Sequence, residues 1–224
     1  MTVTADELFC RASFGLPCWM GHSDGSREPL PTARWMGGEA SSMEDRMADL
    51  TMIGQCTGPT LDLGCGPGRL TEGLARRGIP ALGVDISRKA VDLTVGRGCR
   101  AVLRDLFEPL PNVGEWESVL LADGNIGIGG DPVRLLRRAA ELIRPDGAVI
   151  AEVDAPGEDR VRAQTVRWET DTTFGEWFAW ARVSVDATAD LAQAAGLSVV
   201  DIAPIHGRYF ARLRSASHQF VNSR

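Results

Sequence analysis

The chain has 224 residues, of which 44% are hydrophobic and 24% are charged, so a folded domain with a hydrophobic core is expected and bulk disorder is excluded. Its formal net charge of −6 argues against a protein that binds nucleic-acid phosphates without regard to sequence, because such proteins carry a basic surface. The longest apolar runs have only the length of a strand, so no membrane-spanning segment is predicted.

The cysteines indicate a reducing compartment. There are five, with no C-x-x-C pair, and the N-terminus lacks the apolar core of a signal peptide. Reduced thiols and a cytoplasmic location are therefore predicted. No Cys/His spacing resembles a zinc site, so no metal is predicted.

Residues 1–40 are predicted to be irregular, because glycines and prolines interrupt any helical or strand period. Aromatic side chains nevertheless occur throughout this segment, at Phe9, Phe14, Trp19 and Trp35. A solvated tail carries fewer aromatic residues, so we expect an ordered lid that packs on the main domain, residues 41–224.

A helix is predicted to begin at the capping box Ser41-Ser42-Met43-Glu44, in which Ser41 pairs with Glu44. From residue 60 onward, short apolar strands alternate with helices. The predicted strands are 60–63, 81–84, 100–103, 118–122 and 148–153; the predicted helices are 69–77, 88–95 after a Ser87 cap, and 132 to 143 or 144 after an Asp131 cap. This alternation indicates a parallel sheet with crossover helices on both faces, in which ligands bind at the carboxyl ends of the strands.

The last part of the chain has a different pattern. Strands over 162–168 and 174–183 form a hairpin inserted at residues 160–184. A helix over 186–195 is followed by strands over 197–203 and 209–213, and the short gap between these strands predicts an antiparallel hairpin at the edge of the sheet. The whole pattern predicts an α/β fold with a mostly parallel sheet and an antiparallel edge hairpin.

The strongest motif is Leu61-Asp62-Leu63-Gly64-Cys65-Gly66-Pro67-Gly68-Arg69-Leu70, a strand that enters a glycine turn and then a helix. Glycines allow positive φ and close approach of a ligand to the backbone. The G-x-G-x-G spacing differs from the G-x-G-x-x-G of dinucleotide binders. Asp62, just before the turn, would repel a pyrophosphate and suits a ligand with an ammonium or sulfonium group.

This segment resembles motif I of the class I S-adenosylmethionine-dependent methyltransferases of the small-molecule type, and the resemblance extends over about residues 56–154. It implies a Rossmann-like seven-stranded sheet and S-adenosylmethionine as cofactor. The resemblance also implies roles at successive strand ends. The glycine turn with Asp62, Gly64, Cys65, Gly66 and Gly68 forms the cradle; Asp85, followed by Ile86, takes the ribose hydroxyls; Asp105 and Leu106 meet the adenine; Leu121 and Ala122 offer carbonyls to the methionine ammonium; and Arg34 of the lid reaches the methionine carboxylate or is a surface arginine.

The general base, if the acceptor requires one, is expected at the same edge of the sheet. His206 in the last hairpin turn is the first candidate, because an imidazole titrates near neutral pH. His22 in the lid is the second, and Asp123 after the fourth strand is the third. Metal-dependent relatives carry an Asp-Asn pair after the fifth strand, whereas here Asp154 is followed by Ala155, which argues against a metal. The [DN]-P-P-[YFW] motif of nucleic-acid and protein N-methyltransferases is replaced by residues 123–126, Asp-Gly-Asn-Ile.

Acceptor selectivity is expected from the lid and the inserted hairpin. The hairpin carries Trp168, Phe174, Trp177, Phe178 and Trp180. These aromatic side chains either form a stacking wall for a flat or apolar acceptor or pack on the lid or in a dimer.

The sequence therefore predicts a methyltransferase that acts on a small-molecule acceptor at an O, N or C atom. No nucleic-acid or membrane partner is predicted, and a homodimer is left open. Two alternatives remain: a protein of the same fold that uses the bound cofactor without methyl transfer, and a nicotinamide-dependent oxidoreductase, against which the glycine spacing and Asp62 both argue.

Overall fold

The computed structural model describes residues 2–157 and 159–216. Its helices are Ala5–Ser13 (α1), Thr32–Met36 (α2), Met43–Gly54 (α3), Arg69–Arg76 (α4), Arg88–Gly96 (α5), Pro132–Leu142 (α6) and Val185–Ala194 (α7). Its strands are Trp19–His22 (β1), Arg27–Pro29 (β2), Thr60–Leu63 (β3), Ala81–Asp85 (β4), Ala101–Leu103 (β5), Trp116–Leu121 (β6), Ile143–Val153 (β7), Val161–Glu169 (β8), Phe178–Val183 (β9), Leu197–Ile205 (β10) and Arg208–Ser215 (β11). No helix in these two ranges is long and apolar enough to cross a membrane.

Seven strands form the main sheet in the order β10-β11-β7-β6-β3-β4-β5. Strands β3 to β7 pair in parallel, and β11 is antiparallel to both of its neighbours, β7 and β10. The predicted fold class, a mostly parallel seven-stranded sheet with an antiparallel edge hairpin, is confirmed. The carboxyl ends of β3 to β7 therefore lie along one edge, where the motif residues follow them.

The hydrophobic core lies on both faces of this sheet, because side chains of a strand alternate between faces. Val119 and Leu121 of β6 pack in the cluster beneath α6 and α7, whereas Leu120 packs in the cluster beneath α3 and α4. Leu120 and Leu121 are both fully buried. Because both faces of this strand are covered, its last residues are all apolar instead of alternating with polar ones. Helices cover both faces, as predicted.

A second, four-stranded antiparallel sheet has the order β2-β1-β8-β9. Its first two strands come from the lid segment and the other two from the inserted hairpin. The expectation that residues 1–40 are irregular was wrong, because this segment contains α1, α2, β1 and β2. The two lid strands have only four and three residues, too few to show a period in the sequence. The division of the chain at residue 40 stays a prediction, and strands from both sides of that boundary share this sheet.

Two local predictions need correction. The N-cap of α3 is Ser42, whose Oγ accepts from the Asp45 N–H at 3.0 Å, and not Ser41 paired with Glu44. The sequence contains two overlapping Ser-x-x-acid patterns, and the helix uses the one closer to its first turn. The predicted helix end at residue 143 or 144 and the predicted strand start at residue 148 leave a gap that lies within β7, where the pairing with β6 jumps from Trp116–Ile143 to Ser118–Ala148.

Candidate active site

A cavity of about 970 Å³ lies between the carboxyl ends of β3 to β7 and the second sheet. Its floor is formed by the residues that follow the parallel strands, and its cover by the lid and the inserted hairpin. This placement agrees with the rule that ligands of parallel sheets bind outside the carboxyl ends of the strands.

The glycine turn after β3 is held in one conformation. Gly64, Gly66 and Gly68 all have positive φ, at 72°, 52° and 83°. The Gly66 N–H donates to Asp85 Oδ2 at 2.9 Å, and the Ser87 N–H donates to Asp85 Oδ1 at 2.8 Å. Asp85 at the end of β4 therefore fixes the turn, and its carboxylate still borders the cavity.

Asn125 supports the same turn from the neighbouring strand end. Its Nδ2 donates to the carbonyl oxygens of Leu63 and Gly64 at 3.0 and 2.9 Å. A Cβ on Gly64 would lie 2.6 Å from this amide nitrogen and would displace it, and the positive φ of 72° also favours glycine there. Sequence reasoning missed Asn125, although its place just after β6 put it at the predicted edge.

Asp62 and Asp85 are carboxylates buried at the floor of the cavity. Asp62 is 2% exposed and accepts from Thr71 Oγ1 at 2.7 Å. Burial raises the pKa of Asp62 to about 6, and burial likewise raises the pKa of Asp85 above its ordinary value. Each is a site where a cationic or hydrogen-bond-donating ligand group would be favoured.

Five charged side chains form a buried arginine–carboxylate cluster beside this floor: Asp49, Arg69, Asp123, Glu152 and Arg208. Arg208 donates to both oxygens of Glu152 at 2.8 and 2.7 Å and to Asp49 Oδ1 at 2.8 Å. Arg69 bridges Asp49 and Asp123. The cluster joins α3, α4, β7, β11 and the end of β6. It therefore links the first element of the main domain, α3, to the last described one, β11.

Asp123 is held by this cluster as an ionised group. Its backbone N–H donates to Glu152 Oε2 at 2.6 Å, and Arg34 of the lid lies 3.4 Å from its Oδ1. Burial disfavours the charge, but Arg69, Arg208 and Arg34 outweigh it and hold the pKa of Asp123 below its ordinary value. A carboxylate with a lowered pKa and three arginine partners is a weak general base.

Most of the predicted cofactor residues line the cavity. They are Arg34, Asp62, Gly64, Cys65, Gly66, Asp85, Ile86, Asp105, Leu106 and Ala122. Gly68 and Leu121 do not: Gly68 is the N-cap of α4, where a Cβ would lie 2.5 Å from the Thr94 hydroxyl, and Leu121 is a fully buried core residue. The roles assigned to all twelve residues stay predictions.

The three candidate bases are placed differently. His206 is exposed in the turn between β10 and β11, with φ 49°, and does not line the cavity. His22 does not line it either, but its Nε2 lies 3.7 Å from Oε1 of Glu28, which does. Asp123 lines the cavity and is engaged by arginines. The strand preceding His206 does point to the expected edge, and Arg208, two residues on, contacts Glu152 and Asp123, which line the cavity.

The aromatic side chains of the inserted hairpin divide into two groups. Trp168, Phe178 and Trp180 line the cavity. Phe174 and Trp177 are 53% and 44% exposed and stack on the Arg167 guanidinium at 4.2 and 4.5 Å on the outer side.

The fold and the position of this cavity define a class of α/β protein that binds its ligand at the glycine turn after the first parallel strand. A family model described as a methyltransferase domain matches residues 40–202. The chain belongs to this methyltransferase domain family, which confirms the predicted family and the predicted enzyme class.

The similar solved structures share the fold. An S-adenosylmethionine-dependent methyltransferase from Bacteroides fragilis, solved with S-adenosyl-L-homocysteine, is 20% identical, has a TM-score of 0.76 and is matched over 96% of this chain and 98% of that one. The CcbJ methyltransferase from Streptomyces caelestis is 17% identical, with a TM-score of 0.62 and coverage of 80% and 93%. The 1,6-didemethyltoxoflavin-N1-methyltransferase of Burkholderia thailandensis is 18% identical, with a TM-score of 0.56 and coverage of 75% and 79%.

One curated relative is similar over part of the sequence. The ubiquinone biosynthesis O-methyltransferase of Azorhizobium caulinodans is 35% identical over 95 residues, which are 40% of this chain. The match spans 38% of the length of that protein.

Proposed function

We propose that this protein transfers the methyl group of S-adenosylmethionine to a small-molecule acceptor. The observation that carries the proposal is the single cavity in which the glycine turn and the acidic strand ends face an aromatic-lined sheet. The first set of groups suits the cofactor and the second suits an acceptor, and methyl transfer requires both in one water-poor space.

The residues of the floor fit the cofactor. Each Asp85 oxygen uses one lone pair on a backbone N–H and keeps another for a hydroxyl group. Asp62 is a buried carboxylate with a hydroxyl donor and suits the ammonium group. Ile86 is 70% exposed and borders the cavity, where it offers an apolar surface to a flat ring. S-adenosylhomocysteine in the Bacteroides fragilis complex supports the same cofactor here.

The bound cofactor supplies a methyl group already activated by a sulfonium, so the chain has to position, desolvate and, for some acceptors, deprotonate. Positioning falls to the glycine turn and to Asp85. The lid helices α1 and α2 exclude water with Leu8, Phe9 and Trp35, which border the cavity. Phe9 and Trp35 contact each other with ring centroids 6.2 Å apart.

A small acceptor is favoured because the acceptor space is internal and covered by the second sheet. The Burkholderia thailandensis N1-methyltransferase was solved with bound 1,6-didemethyltoxoflavin, a small molecule, which supports an acceptor of this size. Transfer to an O, N or C atom, a cytoplasmic location and a possible homodimer stay predictions.

The proposal is tested by thermal unfolding with S-adenosylmethionine, S-adenosylhomocysteine or NADH. A ligand at about 100 times its Kd adds about 2.7 kcal/mol, which raises the Tm of a domain of this size by about 5–11 °C. We expect this shift with the two sulfur ligands and not with NADH.

Asp85→Asn is the diagnostic variant, because its amide meets two backbone N–H donors with one acceptor oxygen. We expect it to lose the ligand-induced shift, whereas Asp201→Asn, an exposed position on the edge strand β10, retains it. A shift with NADH alone would overturn the proposal. A shift with the sulfur ligands and no S-adenosylhomocysteine formed with any acceptor of a broad screen would favour the non-methylating alternative.

A further inference from the structure

The second sheet gives the cavity a distinct end, here called the acceptor end, formed by the inner face of β2-β1-β8-β9 and by Asp154 after β7. Its inward positions alternate along the strands, as the pleat requires. They are Met20, Glu28, Gln164, Trp168, Phe178, Trp180 and Arg182.

Three aromatic rings form a continuous surface at this end. Trp168 and Phe178 have ring centroids 4.7 Å apart at 49°, and Phe178 and Trp180 have centroids 6.4 Å apart at 80°. Trp180 lies opposite Gln164 in the β8–β9 pairing. Stacking surfaces of this kind bind flat, apolar rings.

The charges of the acceptor end are unbalanced towards the negative. Arg182 donates to both oxygens of Asp154 at 2.9 and 3.1 Å, and its Nη1 lies 3.5 Å from Glu28 Oε2. Glu28 and Arg182 belong to the two opposite edge strands of the second sheet, so their contact closes its concave face. Glu176 also borders the cavity and has no basic partner within 4.0 Å in the part of the chain that the structure describes.

Among the described residues of the second sheet, only Arg182 places a guanidinium in the lining of the cavity, and it is already paired with two carboxylates. An anionic acceptor therefore meets no free cation of this sheet, and Glu176 adds a further negative charge. Arg134, which also borders the cavity, lies over the Phe107 ring at 4.0 Å. A cationic or neutral amine meets carboxylates instead. Gln164 adds a polar group, since its Nε2 is buried without a hydrogen-bond partner among the described residues.

We propose that the acceptor is a flat aromatic or heteroaromatic molecule that carries an amino group or no charge, and that Glu28 and Glu176 select it against carboxylates and phosphates. The proposal rests on the proposed function, because it assigns the acceptor end of the same cavity. The rings of Trp168, Phe178 and Trp180 bind the flat part, and the Gln164 amide pairs with a polar ring atom.

The test uses protein saturated with S-adenosylhomocysteine and three probes that share an indole ring: tryptamine, indole and indole-3-acetate. Their charges at pH 7.5 are positive, neutral and negative. Isothermal titration is expected to give a Kd for tryptamine at least about tenfold lower than that for indole-3-acetate, with indole between them.

Two variants separate the contribution of the acidic side chains to the probe Kd values from the contribution of the aromatic rings. Glu28→Gln/Glu176→Gln is expected to bring the Kd values of tryptamine and indole-3-acetate within about threefold of each other. Trp180→Leu is expected to weaken all three probes. Glu115→Gln, an exposed position outside the cavity, is the matched control and is expected to behave as wild type.

The outcomes distinguish a failure of this acceptor class from a failure of the proposed function on which it rests. Loss of the thermal shift with S-adenosylhomocysteine would count against the proposed function. A normal shift combined with a preference for indole-3-acetate, with equal affinities, or with no binding of any indole at millimolar concentration would overturn the acceptor class alone. Preserved discrimination in the double glutamine variant would also overturn it.

Discussion

Asp62 combines deep burial with a single strong hydrogen bond, from Thr71. Its pKa is raised from 3.8 to about 6, so the folded state disfavours its ionised form. Because the pKa is higher in the folded state than in the unfolded state, the free energy of unfolding contributed by Asp62 is fully present below pH 3.8 and is lost as the pH rises through about 6. Ionisation of Asp62 at neutral pH therefore costs free energy in the ligand-free protein, and a cationic ligand group bound next to it would offset that cost.

Asp62→Asn is therefore expected to stabilise the ligand-free protein, because it removes the titration. The gain over wild type should increase by about 1–2 kcal/mol between pH 5 and pH 8. Urea unfolding at these two pH values measures it. The same variant should bind S-adenosylmethionine more weakly, since an amide replaces the carboxylate that we propose faces the ammonium. A gain that is equal at both pH values would contradict the assigned pKa.

Arg208 neutralises Asp49 and Glu152 in the buried arginine–carboxylate cluster and lies 3.5 Å from Asp123. Arg208→Ala leaves these carboxylates short of a partner, and breaking a buried pair in this way costs about 3–5 kcal/mol. The Tm should fall by about 6–20 °C. Arg214→Ala, an exposed position on the same strand, should change it little. Equal effects of the two substitutions would show that the cluster does not stabilise the fold.

At the scale of elements, the second sheet is attached to the main domain at the 3₁₀ turn Asn125–Gly127. Ile128 forms a bridge with Trp180 of β9, and Gly127 packs directly on the same strand. A Cβ on Gly127 would lie 1.8 Å from the Ala181 carbonyl oxygen and 3.0 Å from Trp180 Nε1. The close approach of two backbones thus positions the aromatic wall over the strand ends.

Gly127→Ala is expected to push β9 away and to cost about 1–3 kcal/mol, the range typical of overpacking. Differential scanning calorimetry measures the loss. In Gly54→Ala the new methyl group meets no atom within 4 Å, so this helix-end variant is the control and should be neutral or slightly stabilising. An unchanged Tm for Gly127→Ala would mean that the second sheet is not fixed by this contact.

For the whole molecule, stability should be unevenly distributed. β6 and β7 are paired on both sides, and β6 and the part of β7 from Gly147 onward are almost fully buried, whereas β2 is a three-residue edge strand with two exposed positions. Elements with few buried contacts open at lower free energy than core strands.

Amide hydrogen exchange followed by mass spectrometry should therefore be slowest in β6 and β7 and much faster in β1 and β2. Saturation with S-adenosylhomocysteine should slow exchange in the lid and in the glycine turn more than in α7, whose residues do not line the cavity. Equal protection of both sheets in the ligand-free protein would contradict this ranking.

Much of the fold was predictable because the elements are strongly signalled locally. The strand at residues 60–63 matches β3, and the Ser87 and Asp131 caps both open the predicted helices. The lid strands were not predictable, because three or four residues show no period and because β1 pairs with β8, whose residues lie 144 to 150 positions further along the chain.

The candidate site was predictable in part. Residues at or close to the carboxyl ends of strands, such as Asp62, Asp85 and Asp105, follow from the strand-end rule and line the cavity. Arg208 carries no such signal, because it begins β11 and meets Glu152 only when β7 and β11 pair. Glu152 is the residue before the last of β7, as Asp62 is in β3, so the strand-end rule could have found it. His206 carries the signal of a candidate base and lies outside the cavity, since a turn at the far edge of the sheet does not reach its centre.

The sequence by itself determined the order of strands and helices, the glycine turn and the acidic strand ends, because these depend on local periods and on short spacings. Only the tertiary structure decided what covers the cavity. The lid and the inserted hairpin are distant in sequence, and they form the cover of the cavity only when their backbones pair. That pairing places three aromatic rings inside and two outside, and it leaves Glu28, Asp154 and Glu176 to outnumber Arg182 at the acceptor end.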